Sequence, residues 1–353
     1  MEWNLLLALI CAFGLSYFLI PIIIKVALSN HLVDEPGGRK QHKKAVPPLG
    51  GVAIYCGVWT GIAICTDLLT ITTMKYFYIA TLLLLIVGVR DDIYGMKAIM
   101  KLIYQIIVAN IIYFAGFKLA FIDFYFGDGF LSIFMNYGIT IGWIVLLINA
   151  LNLIDGIDGL AGSIGTFAAI TLGFLFWHAD AIQWSIVAFS LAAALIAFLR
   201  FNIHQAQIFM GDTGAMFLGL IIGVLSIQYL NSSWTVQHVG YSLLNVAIIV
   251  LIPVIDLVRV FITRMLNGKS PFEADRTHIH HILIDTGLNT WCICSFLILL
   301  NAIYLAILPQ LEADILIFGI VLMILSVWQA ESWAKQFLKL RNIYLLQQYI
   351  FKS

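Results

Sequence analysis

Five aspartates stand at three places in the chain: Asp91-Asp92, Asp155 with Asp158, and Asp212 between Gly211 and Thr213. Adjacent carboxylates at the edge of an apolar run repel each other and lose hydration unless a cation sits between them. A hard divalent ion such as Mg²⁺, which takes oxygen ligands and keeps some of its waters, resolves that conflict. A water-solvated acidic pair is the alternative. Asp155 and Asp158 belong to the stretch Asn149-Ala150-Leu151-Asn152-Leu153-Ile154-Asp155-Gly156-Ile157-Asp158-Gly159-Leu160, in which polar residues and glycines interrupt apolar sequence. At i, i+3 the two carboxylates would share a helix face. The glycine after each of them lets backbone N–H groups approach a ligand. The stretch lacks the oxygen count and the twelfth-position glutamate of an EF-hand.

Phe209-Met210-Gly211-Asp212-Thr213-Gly214 reads as the small, hydroxyl-bearing start of a helix, a place suited to an anion or a metal–phosphate complex. Asp212 is the third oxygen ligand on that reading. Phe209 either stacks on a nucleobase or anchors the chain at a membrane interface. Arg200, Asn202 and His204 lie just upstream. Further along, Asp275-Arg276-Thr277-His278-Ile279-His280-His281 gathers three imidazoles and a guanidinium in one loop. Neither cysteine nor an H-E-x-x-H helix accompanies them, so phosphate binding is favoured over zinc. Such groups stabilise the charge that develops in phosphoryl transfer. Lys97 and Lys101 follow the paired aspartates and could serve a phosphate. The basic stretch Arg39–Lys44 before Pro47-Pro48-Leu49-Gly50-Gly51 either anchors to membrane lipid or brings Lys44 to a diphosphate. Asp256, with Arg259 at i+3, is an intramembrane functional carboxylate or half of an ion pair.

What must position these groups is a set of membrane helices. The 353 residues are 62% hydrophobic and only 11% charged, against about 25% charged in soluble domains. The five cysteines all lie in apolar runs, with no metal-binding spacing, and act as small hydrophobes. A net charge of zero gives no electrostatic case for nucleic acid. Apolar runs long enough to cross a bilayer fall near 3–25, 49–66, 74–89, 99–117, 131–149, 160–178, 182–199, 213–230, 242–263, 291–308 and 313–330. The sequence therefore predicts an all-α, polytopic integral membrane protein of about eleven transmembrane helices. It reads as one integral-membrane domain over 1–353, with the N-terminus periplasmic and the C-terminus cytoplasmic. The first run is retained rather than cleaved. Seventeen of the nineteen Lys and Arg residues then fall on one side, the positive-inside signature. The cytoplasmic loops are expected near 26–48, 90–98, 150–159, 200–212 and 264–290, and the constellations above lie on or at the edge of them, with Asp256 as the main exception.

Basic inner loops with packed carboxylates point to phosphoryl transfer between a water-soluble donor and a lipidic acceptor. Taken in order over residues 34–285, the four constellations resemble the polyprenyl-phosphate N-acetylhexosamine-1-phosphate transferase family. Lys269-Ser270-Pro271-Phe272, then Asp275-Arg276 and the histidines, is similar to its undecaprenyl-phosphate N-acetylglucosamine-1-phosphate transferase (WecA-like) branch. Ile279 interrupts the run of three histidines that marks the branch acting on the muramoyl-pentapeptide nucleotide. Glu273-Ala274 departs from the proline that relatives often carry there.

The resemblance implies transfer of N-acetylglucosamine-1-phosphate from UDP-GlcNAc to undecaprenyl phosphate, releasing UMP and starting a cell-surface glycan. It implies a bacterial inner-membrane enzyme whose site faces the cytoplasm and which uses Mg²⁺, with Mn²⁺ as a substitute. Another UDP-N-acetylhexosamine is the alternative donor, and a homodimer is left open. Carried onto this sequence, Asp91 and Asp92 act on the lipid phosphate or organise the metal, and Asp212 with Asp92 ligates it. Asn152, Asp155 and Asp158 serve the nucleotide site, Asp155, Asp158 and His278 among the catalytic groups. Phe209 packs on uracil, and Lys44, Lys101, Arg276, His280 and His281 surround the phosphates. An aromatic-acceptor prenyltransferase would not need the Gly211-Asp212-Thr213 loop. A secondary transporter would place its charges at mid-membrane.

Overall fold

The computed structural model describes residues 2–34, 45–66, 72–127, 129–203, 205–232, 239–268, 270, 278–308 and 332. Among them the regular elements are all helices, since a chain in hydrocarbon must pair its own N–H and C=O groups. One isolated bridge, Asp34 with Val46, is the exception. In chain order the helices are α1 (Glu2–Ser29), α2 (Gly50–Cys65), α3 (Thr72–Tyr94), α4 (Ala98–Phe114), α5 (Ala120–Phe126), α6 (Phe130–Ile154) and α7 (Leu160–His178). They continue with α8 (Ile182–Asn202), α9 (Gly211–Ser232), α10 (Val239–Ile249), α11 (Leu251–Leu266), α12 (Ile279–Asp285) and α13 (Thr290–Ile307).

Seven of these helices are long and apolar enough to cross a membrane, and an eighth span arises if the bent pair α10–α11 is counted as one. The shorter apolar helices α2 and α4 coincide with two further expected runs. The chain is thus a polytopic membrane protein. The expected run at 313–330 lies outside the described residues.

Two helices depart from the runs read in the sequence, each for a local reason. The run expected at 242–263 is broken, its halves bent by 72°. Pro253 has no N–H to give and its ring crowds the carbonyl four residues back, at Ile249, where α10 stops. Helix α3 runs past the expected end of its apolar stretch, so Asp91 and Asp92 lie in its last turns rather than in the loop. It stops where Gly95, at φ +72°, takes a left-handed turn and donates its N–H to the Asp91 carbonyl at 2.8 Å.

Helix α9 is the axis of the bundle, buried almost end to end and packed on α2, α3, α6 and α7. Lipid tails give two apolar helices no reason to associate, so close backbone approach has to supply the contact. A Cβ on Gly219 of α9 would lie 2.5 Å from the Ile148 Cα of α6. One on Gly51 of α2 would lie 2.1 Å from the Gly214 N, and one on Gly88 of α3 would lie 2.4 Å from the Thr213 Cα. Small residues therefore bring the ends of α2 and α3 directly onto the start of α9. By contrast α1, which packs on α2 and α8, leaves much of its apolar surface exposed, as a lipid-facing helix does.

Candidate active site

Where α9 begins, six other helix ends converge, and their first link is made by backbone. Phe209 N–H donates to the Pro47 carbonyl, Gly50 N–H to the Phe209 carbonyl and Gly51 N–H to the Met210 carbonyl, each at 2.9 Å. This backbone pairing places Gly211-Asp212-Thr213 against the end of α3. Gly211 turns the chain into the helix at φ +70°.

Asp92 caps that helix from outside its own chain segment. Its Oδ1 accepts the Asp212 N–H at 2.8 Å, and its Oδ2 accepts the Thr213 N–H at 3.1 Å and the Thr213 hydroxyl at 2.5 Å. A carboxylate on the first N–H groups of a helix meets both the orphan donors and the positive end of the helix dipole. Asp92, expected as a metal ligand, also builds the Asp212 loop. Its neighbour Asp91 is the carboxylate that shares a cation with Asp212.

That cation is the Lys101 ammonium from the first turn of α4, paired with the buried Asp91 Oδ2 and, at 2.8 Å, with Asp212 Oδ2. Asn152, in the last turn of α6, donates from Nδ2 to Asp212 Oδ1. Asn149, one turn earlier, donates to the buried Gln105 Oε1 at 2.6 Å and so ties α6 to α4. Asp91, Lys101, Asn152 and Asp212 therefore form one contiguous cluster drawn from four helices.

The Asp155–Gly159 segment borders this cluster as a loop, not as the shared helix face expected from the i, i+3 spacing, because α6 ends at Ile154. Burial pushes the Asp155 carboxyl well above the ordinary carboxylate range, and the negative charges of Asp212, Asp92 and Asp158 push it further. Asp158 Oδ2 accepts the Ala206 N–H at 3.2 Å. Asn202, the last residue of α8, clamps the loop to the segment before α9. Its Oδ1 accepts the Gly159 N–H at 2.6 Å and its Nδ2 donates to the Ile208 carbonyl at 2.9 Å. Asn202→Ala leaves both backbone groups unpaired in a buried place. The expected cost is about 1–3 kcal/mol of stability, with a raised KM for the soluble donor, read by thermal unfolding and initial rates.

Among the described residues no group of three or more His, Cys, Asp or Glu side chains forms a metal cage. Mg²⁺ at a phosphoryl-transfer site needs no such cage, because one or two carboxylates suffice when waters and substrate phosphates complete the shell. Asp91 and Asp212, already converged on one positive charge, fit that pattern.

Among the described side chains of the histidine strip, His278 is held by α11. His278 is buried with its Nδ1 2.9 Å from Asp256 Oδ2 in α11, and Asp256 Oδ1 also accepts from Arg259 Nη2 at 2.9 Å. The ion pair foreseen for Asp256 is thus only part of its contacts. Phe209 is half-buried at the mouth of the loop. Lys44, Arg276 and His204 lie outside the described residues, as do the side chains of His280 and His281. Reading residue by residue gave Asn202 no role, and it named Asp256 as a functional carboxylate without linking it to His278. The available signal was their polarity at the end or in the middle of an apolar run.

Comparison with known proteins agrees with this geometry. Residues 74–230, from α3 to α9, match the family model described as Glycosyl transferase family 4. A probable undecaprenyl-phosphate N-acetylglucosaminyl 1-phosphate transferase of Bacillus subtilis is 34% identical over 271 residues, covering 76% of this chain and 74% of its own. A decaprenyl-phosphate N-acetylglucosaminephosphotransferase of Mycolicibacterium smegmatis is 28% identical, covering 77% and 73%. An undecaprenyl-phosphate alpha-N-acetylglucosaminyl 1-phosphate transferase of Salmonella typhi is 27% identical, covering 80% and 77%. At such identity and coverage, and with its carboxylate cluster inside the matched region, the chain belongs to the polyprenyl-phosphate N-acetylglucosamine-1-phosphate transferases of glycosyl transferase family 4.

Proposed function

We propose that this membrane enzyme transfers N-acetylglucosamine-1-phosphate from UDP-N-acetylglucosamine to undecaprenyl phosphate, releasing UMP. The observation that carries the reading is the single cluster of Asp91, Lys101, Asn152 and Asp212, brought to one end of the bundle by four helices. In the reaction an oxygen of the lipid phosphate bonds to the sugar-bearing phosphorus, and the bond from that phosphorus to the bridging oxygen breaks. UMP leaves with the electron pair. A phosphate monoester has its second pKa near 6, so the acceptor is mostly dianionic at neutral pH and no strong base is needed.

Asp91 and Asp212 are the residues that would hold Mg²⁺, which would supply positive charge to the diphosphate. Asn152 orients Asp212, and Lys101 adds positive charge beside the phosphates. Asp155 and Asp158 line the donor site with Phe209, whose ring packs on the uracil. Lys44, Arg276, His278, His280 and His281 meet the phosphates. The excess of Lys and Arg on one set of loops supports a cytoplasmic site in an eleven-helix chain of the bacterial inner membrane. The lipid diphosphate-sugar then starts a cell-surface glycan.

The test is UMP release by the purified protein. Release is expected to require UDP-N-acetylglucosamine, undecaprenyl phosphate and Mg²⁺ together, to stop with chelator, and to fall with other UDP-N-acetylhexosamines. Stoichiometric UMP in a single turnover without acceptor would replace direct attack by a covalent enzyme intermediate.

A further inference from the structure

We infer that Asp256 is a positioning residue that fixes the tautomer and aim of His278 for the transfer step, an inference that rests on the proposed role of His278 at the substrate phosphates. Asp256 lies in α11 just past the bend at Pro253, and its carboxylate is buried. Three groups converge on it. Oδ1 accepts from Arg259 Nη2 at 2.9 Å and from the Ile279 backbone N–H at 3.0 Å, while Oδ2 faces His278 Nδ1 at 2.9 Å.

An internal ion pair needs only the first of these contacts. The other two come from a segment more than twenty residues away, and they pin both the ring of His278 and the backbone of the residue after it. A carboxylate beside a guanidinium is ionised and can only accept, so the imidazole must present an N–H at Nδ1. Nε2 is then the ring nitrogen that turns away from the Asp256 carboxylate. Carboxylates that orient a functional imidazole through its other nitrogen recur wherever a histidine must act in one tautomer. The bend at Pro253 acquires a purpose on this reading. It sets the first turns of α11, which carry Asp256, at a new angle to α10.

The experiment measures kcat and KM on purified full-length protein for His278→Ala, Asp256→Asn and the two combined. His278→Ala is expected to lower kcat about 100-fold and Asp256→Asn roughly 10- to 100-fold, with the KM for UDP-N-acetylglucosamine within about threefold of wild type. The combined variant is expected to be no slower than His278→Ala alone, because the carboxylate acts through the ring. A slow His278→Ala beside an Asp256→Asn that keeps more than half of wild-type kcat would overturn the inference alone. So would losses that multiply in the combined variant. Wild-type turnover by His278→Ala would remove the role of His278 itself, and the inference with it. If Asp256→Asn does not fold because Arg259 loses this carboxylate, Asp256→Asn/Arg259→Gln removes both charges and is judged by the same criteria. Failure of that variant to fold as well would make Asp256 a structural anchor and overturn the inference.

Discussion

Asp212→Asn is expected to lower kcat by about 10³-fold or more while the protein stays folded. The carboxylate stands where Lys101 and Asn152 meet, and it is the one member of the cluster that touches partners from both α4 and α6. An amide removes the negative charge, and its N–H₂ either meets the Lys101 ammonium, which cannot accept, or meets the Asn152 Nδ2 donor unless that side chain flips to present its oxygen. The fold has less at stake. Lys101 keeps its pairing with Asp91, and the start of α9 remains capped by Asp92 through backbone N–H groups that the substitution leaves in place. The measurement is UMP release alongside a thermal melt in detergent. Turnover within tenfold of wild type, at an unchanged melting temperature, would remove Asp212 from the reaction.

Gly211→Ala should damage fold and activity together. Gly211 sits at φ +70°, where a side chain meets backbone strain. Its Cβ would fall 2.0 Å from the Pro48 carbonyl oxygen and 2.6 Å from Asp92 Oδ2. The first neighbour is backbone held in the 47–51 pairing, and the second is the cap of α9, so neither can swing aside cheaply. The two penalties together amount to about 3 kcal/mol or more. Whatever protein does fold has its Asp212 loop displaced, and a shift of about 1 Å at such a site costs roughly 100-fold in turnover. Thermal unfolding and the rate per folded molecule separate the two losses. A wild-type melt and rate would mean that the close approach at Gly211 is dispensable.

The sequence made the carboxylates legible because each interrupts hydrocarbon-type sequence, where an ionised group needs a reason to exist. It also showed that Asp212 opens a helix, since Gly211 and Thr213 are residues of helix starts. What it could not show was the division of labour between Asp91 and Asp92. They are identical in type and adjacent, and only the path of α3 past Asp92 decides which one reaches α9 and which reaches Lys101. The helical face expected for Asp155 and Asp158 failed for a related reason. Spacing alone cannot tell a continuing helix from one that ends at Ile154, and the glycines on either side of Ile157 favour the ending. Asn202 was visible only as a polar residue upstream of Phe209. Its two backbone partners, Gly159 and Ile208, come from different segments, and no local pattern connects them.

The pairing of Pro47–Gly51 with Phe209–Met210 joins segments about 160 residues apart, which constrains the order of biogenesis. A nascent chain inserting from its N-terminus delivers α1 to α8 to the bilayer before the segment that completes the pairing has left the ribosome. During that interval the face of α2 at Gly51 and the face of α3 at Gly88 have nothing to pack on, and closing so long a loop is slow. Arrival of α9 is therefore the step that converts a loose set of inserted helices into a packed bundle with its carboxylate cluster. Chains truncated before it should be recognised by membrane quality-control proteases as unfinished.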